Sequence, residues 1–423
     1  MNDRSYQKGI LLVFTLGLAL RIAWVYLIPL WQQADEYPHF YYVQHIHEYK
    51  TLPLSQPAFP YYEGFQPPMY YLLSAGIYNL IPSWDDQSGE MGESFEVDWK
   101  SENFHNHNRM ARLLRWLSVL LWIGTFWVSY LFLARFFGNR KEIILLSLSL
   151  LAFLPTYVSN GGAITNDSLA VFASTLFIYL LYVSEPKKLT HLLLLGVVLG
   201  WAILTKYNCL VLIPALFIYL WILQTRRLKG SFLTVIGIVA ILVLPWLYFT
   251  QNIYGKPLFF YSGLEAKISI WAHFLPEYYR VARNLFWSFW AAAGRVYEIH
   301  LPSWYYIFVF GGMTAISGWG LSKLWLSRKN AAQSDSASLK IVGWSGLVLL
   351  MLVVTSLWYS LSYQVMTSWG KNLYVGMLPI ALLFSLGWQQ ISANRYWLYS
   401  LPLLLLLTDL FYMFGYVFPH FHE

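Results

Sequence analysis

The chain has one cysteine, Cys209, so an internal disulfide framework is excluded. Set among apolar neighbours, that thiol reads as a small core filler. Charge is scarce too. Only 12% of the 423 residues are Asp, Glu, Lys or Arg, where a soluble domain carries about 25%. No glycine-rich phosphate cradle of the nucleotide-binding kind occurs. The HIH and HNH triplets lack a known metal-ligand spacing. Internal repeats and low-complexity tracts are missing as well, which leaves no signature of a solenoid or a disordered arm.

Long apolar runs are what the sequence has in plenty. They recur at about the 17–25 residues that cross a bilayer as a helix. About eleven spans are predicted, near 9–30, 113–134, 143–158, 167–183, 190–205, 208–224, 231–250, 304–322, 341–361, 372–389 and 397–417. The expected fold class is an all-α polytopic membrane protein, one domain over 1–423. The first run is too long for a cleaved signal core and lacks a small-residue cleavage site, so it reads as a retained signal anchor. The break LTKYN, between the fifth and sixth spans, is either a loop or an interruption at membrane depth. Such breaks survive only where protein or a water-filled cavity satisfies the backbone.

Lys and Arg in the short loops set the orientation. With the N-terminus in the cytoplasm, the inner loops hold ARFFGNRKE, SEPKKLT, QTRRLKG and KLWLSRKNAAQSDSASLK. The net charge of +7 is thereby explained without a nucleic-acid partner. The tract KNAAQSDSAS is expected to be a flexible linker between bundle halves. Two long outer segments remain, 31–112 and 251–303, both rich in Tyr, Trp and Phe. Interfacial aromatic belts account for most of those rings. QPPMYYLLSAGIYNLIP and PEYYRVARNLFWSFWAAAGR are predicted to lie along the membrane surface or re-enter it.

The outer loops also carry the chemistry. QQADEYPHFYY follows the first span directly, so Asp35 and Glu36 stand at its mouth. Adjacent residues on a helix diverge by about 100°, so one acid is expected to work and the other to support it. Asp35 also suits an N-cap before Pro38, and His39, four residues on, shares its face. Asn166 and Asp167 follow a glycine pair at a second outer turn, again either a cap or a site acid. Lys206 lies between apolar stretches, where a cation is costly and faces a cavity, an anion or the headgroups. Arg280, Arg283, Arg295, Lys371 and the Arg109–Arg112–Arg115 ladder are further cations at levels that suit a lipid phosphate.

These residues resemble the GT-C superfamily of integral-membrane glycosyltransferases. ADEYPHFYY resembles the Asp-Glu motif of the protein mannosyltransferase and aminoarabinose transferase branches, and LTKYNCLVLIP their Leu-Thr-Lys turn. An uncharacterised GT-C-like family is similar in three stretches: Asp35-Glu36 with His39-Phe40, Gln66-Pro67-Pro68 with Tyr70-Tyr71, and Asn166-Asp167. It departs at Trp369-Gly370-Lys371-Asn372, where that family has Gln-Gly-Arg-Tyr, so the charge is kept and the bidentate fork is lost.

The resemblance implies a GT-C-like bundle in the plasma membrane with its active site facing outward, working on the cell envelope. It implies a polyprenyl-phosphate sugar donor among the membrane lipids, a glycan, lipid or protein acceptor, and inversion at the anomeric carbon. Asp35 would be the base, with Glu36 and Asp167 beside it. His39, Tyr42, Gln66, Asn166, Lys206, Tyr207, Arg283, Arg295 and Lys371 would bind substrates. A divalent cation, Mg or Mn, would fall to Asp35, Glu36 and Asp167. Two other readings stay open: a transporter or flippase of a lipid-linked or anionic substrate, and a non-catalytic glycan-assembly protein.

Overall fold

The structure, a computed structural model, describes residues 3–55, 61–80, 109–185, 188–223, 228–254, 275–327, 333–363, 369–392 and 394–422. In chain order, the first helices are α1 (Asp3–Leu27), α2 (Glu36–Tyr49), α3 (Met69–Leu80), α4 (Arg109–Phe137), α5 (Lys141–Phe153), α6 (Pro155–Asn160), α7 (Asn166–Val183) and α8 (Leu189–Thr205). Then come α9 (Leu212–Leu223), α10 (Leu228–Tyr254), α11 (Leu275–Trp290), α12 (Gly311–Leu326), α13 (Gln333–Tyr363), α14 (Met377–Ile391), α15 (Arg395–Tyr412) and α16 (Phe418–His422). A short ribbon pairs β1 (Ala292–Ala293) antiparallel with β2 (Ile299–His300).

Helices dominate because a backbone in hydrocarbon must satisfy its own polar groups. Each predicted span meets a helix. Seven described helices are long and apolar enough to cross a membrane, and two more apolar helices are shorter. Helix length therefore supports a multi-pass protein and not a count of eleven. The predicted span 143–158 is broken: Leu154 is extended, and Pro155 starts α6 where its missing N–H costs nothing. The expected linker KNAAQSDSAS is helical from Gln333 on, where α13 begins, and residues 328–332 lie outside the described ones. Both membrane-surface stretches are helical, as α3 and α11, while residues 81–108 and 255–274 lie outside the described ones.

The core follows from which helices are apolar all round. α5 is buried from Ile143 to Phe153 and α14 from Met377 to Leu383, as expected for helices without a polar face. Around α5 stand α1, α4, α14 and α15. At the C-terminal end of α1 the chain passes into α2, which packs on α3.

Glu36 and Arg115 fix that end. Arg115, on α4, uses every N–H it has. Its Nε and Nη2 reach the Glu36 carboxylate at 2.7 and 2.6 Å, and Nη1 donates to the carbonyls of Val25 and Ile28 at 2.7 Å. The second Nη2 hydrogen goes to Pro29 O at 2.9 Å. Glu36 also accepts from the backbone N–H of Trp31 at 2.8 Å and of Ile164 at 3.2 Å. Neither side chain is more than 1% exposed. One ion pair therefore closes the end of α1, starts α2 and ties in the turn before α7. Arg115→Lys keeps the charge but has three donors for five acceptors. A loss of stability on the order of 3 kcal/mol is expected, read as a lower thermal unfolding midpoint in detergent.

Candidate active site

Asp35 occupies the N-cap position of α2 with a left-handed backbone, φ 60°, a region Asp tolerates better than most residues. The expected cap is not made, since its side chain bonds no α2 N–H. Instead Oδ2 accepts from Lys371 Nζ at 2.6 Å and Oδ1 from the Tyr62 hydroxyl at 2.9 Å. Burial pushes its pKa up, but the Lys371 ammonium and the hydrogen bonds from Lys371 and Tyr62 together help to outweigh that, and the carboxyl is held down at about 2. Lys371 comes from a 3₁₀ turn, Gly370–Gly376, that leads into α14. Only glycine fits at 370: a Cβ there would lie 2.0 Å from the Phe289 backbone nitrogen on α11.

Though His39 follows Asp35 at helical spacing, the two side chains make no hydrogen bond to each other. His39 shares a hydrogen bond of 2.8 Å with the Tyr71 hydroxyl and stacks on that ring. Burial pushes the imidazole pKa down to about 3, so it is neutral near pH 7. Tyr71 also stacks on Tyr42 at 3.7 Å, which locks α2 against α3.

A second acid and base meet on the other side. Asp167 and Lys206 form a buried ion pair. Lys206 is thus not a headgroup-seeking lysine. Nor is Asp167 the cap of α7: Thr165 is, its hydroxyl oxygen accepting from Asp167 N–H at 3.2 Å. The LTKYN break sets Lys206. α8 stops at Thr205, Lys206 is extended, and a 3₁₀ turn follows over Tyr207–Val211. Asn166 braces both sides, its Nδ2 donating to Gln66 Oε1 at 3.3 Å and Thr205 O at 3.2 Å. The Tyr42 hydroxyl donates to Gln66 O at 3.3 Å, and the Tyr207 hydroxyl accepts from Trp246 Nε1 at 2.6 Å. His39 lies within electrostatic range of Asp35, Lys371, Asp167 and Lys206 alike, so both pairs share the neighbourhood of one neutral ring.

Other expected site residues fall elsewhere. Both Glu36 oxygens are engaged by Arg115 and backbone N–H groups, so it is a structural clasp. Arg115 is equally closed to a lipid phosphate. Arg283 is exposed and stacks over Trp287 at 5.1 Å. Arg295 is half-buried within electrostatic range of Tyr62. Among the described residues no three His, Cys, Asp or Glu lie close enough to hold a metal ion. The sequence reading missed Tyr62 and Glu63, on the 3₁₀ turn Tyr61–Phe65. Their signal is an acid among aromatic residues just before Gln66-Pro67-Pro68.

The bundle has solved counterparts. ArnT from Cupriavidus metallidurans, bound to undecaprenyl phosphate, matches with a TM-score of 0.53 at 14% identity, over 92% of this chain and 61% of that one. The oligosaccharyltransferase of Archaeoglobus fulgidus in the apo form matches with a TM-score of 0.54 at 12% identity, over 98% of this chain and 55% of that one. The same enzyme tethered to an acceptor peptide gives 0.52 at 11% identity, over 99% and 55%. The chain has the GT-C fold. It spans about three fifths or less of the length of those GT-C proteins. The family of dolichyl-phosphate-mannose-protein mannosyltransferases matches over residues 89–254, less than half of the chain. Curated protein sequences give no match.

The Asp167–Lys206 pair makes a separable prediction. Removing one partner strands a buried charge, at about 3–5 kcal/mol, whereas removing both does not. Asp167→Asn and Lys206→Met should each lower the thermal unfolding midpoint, and the double substitution should recover most of the loss.

Proposed function

We propose that this GT-C protein transfers a sugar from a polyprenyl-phosphate donor to an acceptor hydroxyl at the outer face of the plasma membrane, inverting the anomeric carbon. The observation that carries the reading is the pair of Asp–Lys contacts near a buried neutral histidine. Each pair joins a candidate base to a cation suited to a phosphate. The basic short loops support a cytoplasmic N-terminus, which turns this end of the bundle outward.

In the free protein Lys371 and Tyr62 occupy both oxygens of Asp35, which leaves it a weak base. A donor phosphate competes for Lys371 and Lys206. Drawing Lys371 away raises the basicity of Asp35, so the donor binds before the acceptor reacts. The acceptor oxygen then attacks the anomeric carbon and its proton passes to Asp35. The bond from that carbon to the phosphate oxygen breaks, and the electron pair stays on the phosphate. Lys206 and Lys371 stabilise the charge that develops there. His39, held neutral, orients the acceptor by hydrogen bonding and leaves the phosphate's cations unopposed. If a divalent cation takes part, Asp35 and Asp167 would meet it, without Glu36.

The undecaprenyl phosphate on the similar ArnT supplies the first probe. Native mass spectrometry of the purified protein should show undecaprenyl phosphate retained over bulk phospholipid. Lys206→Ala should weaken that retention by about tenfold. Asp35→Asn should keep the lipid while release of undecaprenyl phosphate from sugar-loaded lipid extracts falls by about 10²–10⁴-fold. Retention no stronger than that of phosphatidylglycerol would instead favour a transporter.

A further inference from the structure

Glu63 has no part in the mechanism above, yet it sits beside its centre. It follows Tyr62, whose hydroxyl holds Asp35. The side chain is buried, and Oε2 has no hydrogen-bond partner among the described residues. The charged groups within electrostatic range are Asp35 at the start of α2, Lys206 at the break after α8 and Lys371 in the turn before α14. The Gln66 side chain hydrogen-bonds to it, and neutral tyrosines lie near: Tyr62 from its own turn, Tyr42 from α2 and Tyr71 from α3.

Charge balance decides what such a group can be. Asp35 and Lys371 cancel, and so do Asp167 and Lys206. An ionised Glu63 would add a fifth, uncompensated charge in a buried place, which is costly. A neutral carboxyl has an O–H to give. The two lysines in reach of it are the ones that the mechanism above gives to the donor phosphate.

We propose that Glu63 acts as a neutral carboxylic acid that donates a hydrogen bond from Oε2 to a non-bridging oxygen of the donor phosphate. This rests on the phosphate-linked donor proposed above. When the bond to the anomeric carbon breaks, the phosphate gains an electron pair. The Glu63 proton stays on its own oxygen and its hydrogen bond strengthens, while the acceptor's proton goes to Asp35. An ionised carboxylate at the same place would repel the phosphate.

Burial, and after it the Asp35 charge, pushes the Glu63 pKa up to about 8. The neutral form is therefore present near pH 7 and is lost as pH rises through that value. The phosphate's own second ionisation, near pH 6, is complete by then and works in the opposite sense. His39 is neutral throughout this range, and the tyrosines are pushed upward, so neither follows the same course.

The test is undecaprenyl phosphate binding by the full chain at about pH 6.5 and about pH 9. Wild type should bind about tenfold more weakly at the higher pH. Glu63→Gln, whose amide donates at any pH, should bind well at both. Glu63→Ala should bind weakly at both. Wild-type binding that ignores pH overturns the assignment, as does a Glu63→Gln variant as weak as Glu63→Ala. If Glu63→Gln falls with pH as wild type does, a group other than Glu63 causes the fall and the assignment is again wrong. No binding by wild type at either pH overturns the donor reading as well, whereas tight, pH-independent binding overturns the Glu63 role alone.

Discussion

The site depends on one buried ion pair that takes no part in its chemistry. Arg115 and Glu36 join the end of α1, the start of α2 and the turn before α7 through charged hydrogen bonds. Desolvating two charges is expensive, and such a pair is stable only when every remaining hydrogen finds an acceptor. Here each does. The geometry that results puts Asp35 one residue before a fixed point. Beside the held Glu36, Asp35 has a left-handed backbone, and its carboxylate meets Lys371.

Most of the bundle was legible in the sequence, and for a simple reason. A helix in hydrocarbon announces itself by composition, because its backbone has no other way to be satisfied. The interruption at Lys206 was legible too, since a lysine bordered by apolar residues demands an explanation. Less visible was which cation meets which acid. Asp167 and Lys206 lie 39 residues apart, Glu36 and Arg115 79, and no local periodicity connects them. Arg115 looked like one rung of a phosphate-facing ladder because Arg109 and Arg112 precede it at helical spacing. Its difference is that it points inward, which depends on how α4 rolls against α1.

Asp35 and Asp167 both stand where a helix begins, so each looked like a cap, yet neither caps. Thr165 caps α7, and the α2 start is organised by the Glu36 clasp. Each aspartate is thereby left to an ammonium. The burial of Glu63 is not legible because an acid in an aromatic-rich loop can lie on the surface or inside. Only the packing of α2, α3 and the 3₁₀ turn brings it inside.

The distance along the chain between Asp35 and Lys371 has a consequence for synthesis. They are 336 residues apart, so the acid is made long before its partner. Throughout that interval the growing protein carries an aspartate at the membrane surface with no lysine to neutralise it. The centre becomes electrically complete only when the turn before α14 docks on α11, late in biogenesis. A chain cut short before that turn could insert most of its helices and still never assemble the pair, which makes this contact a natural mark of finished assembly.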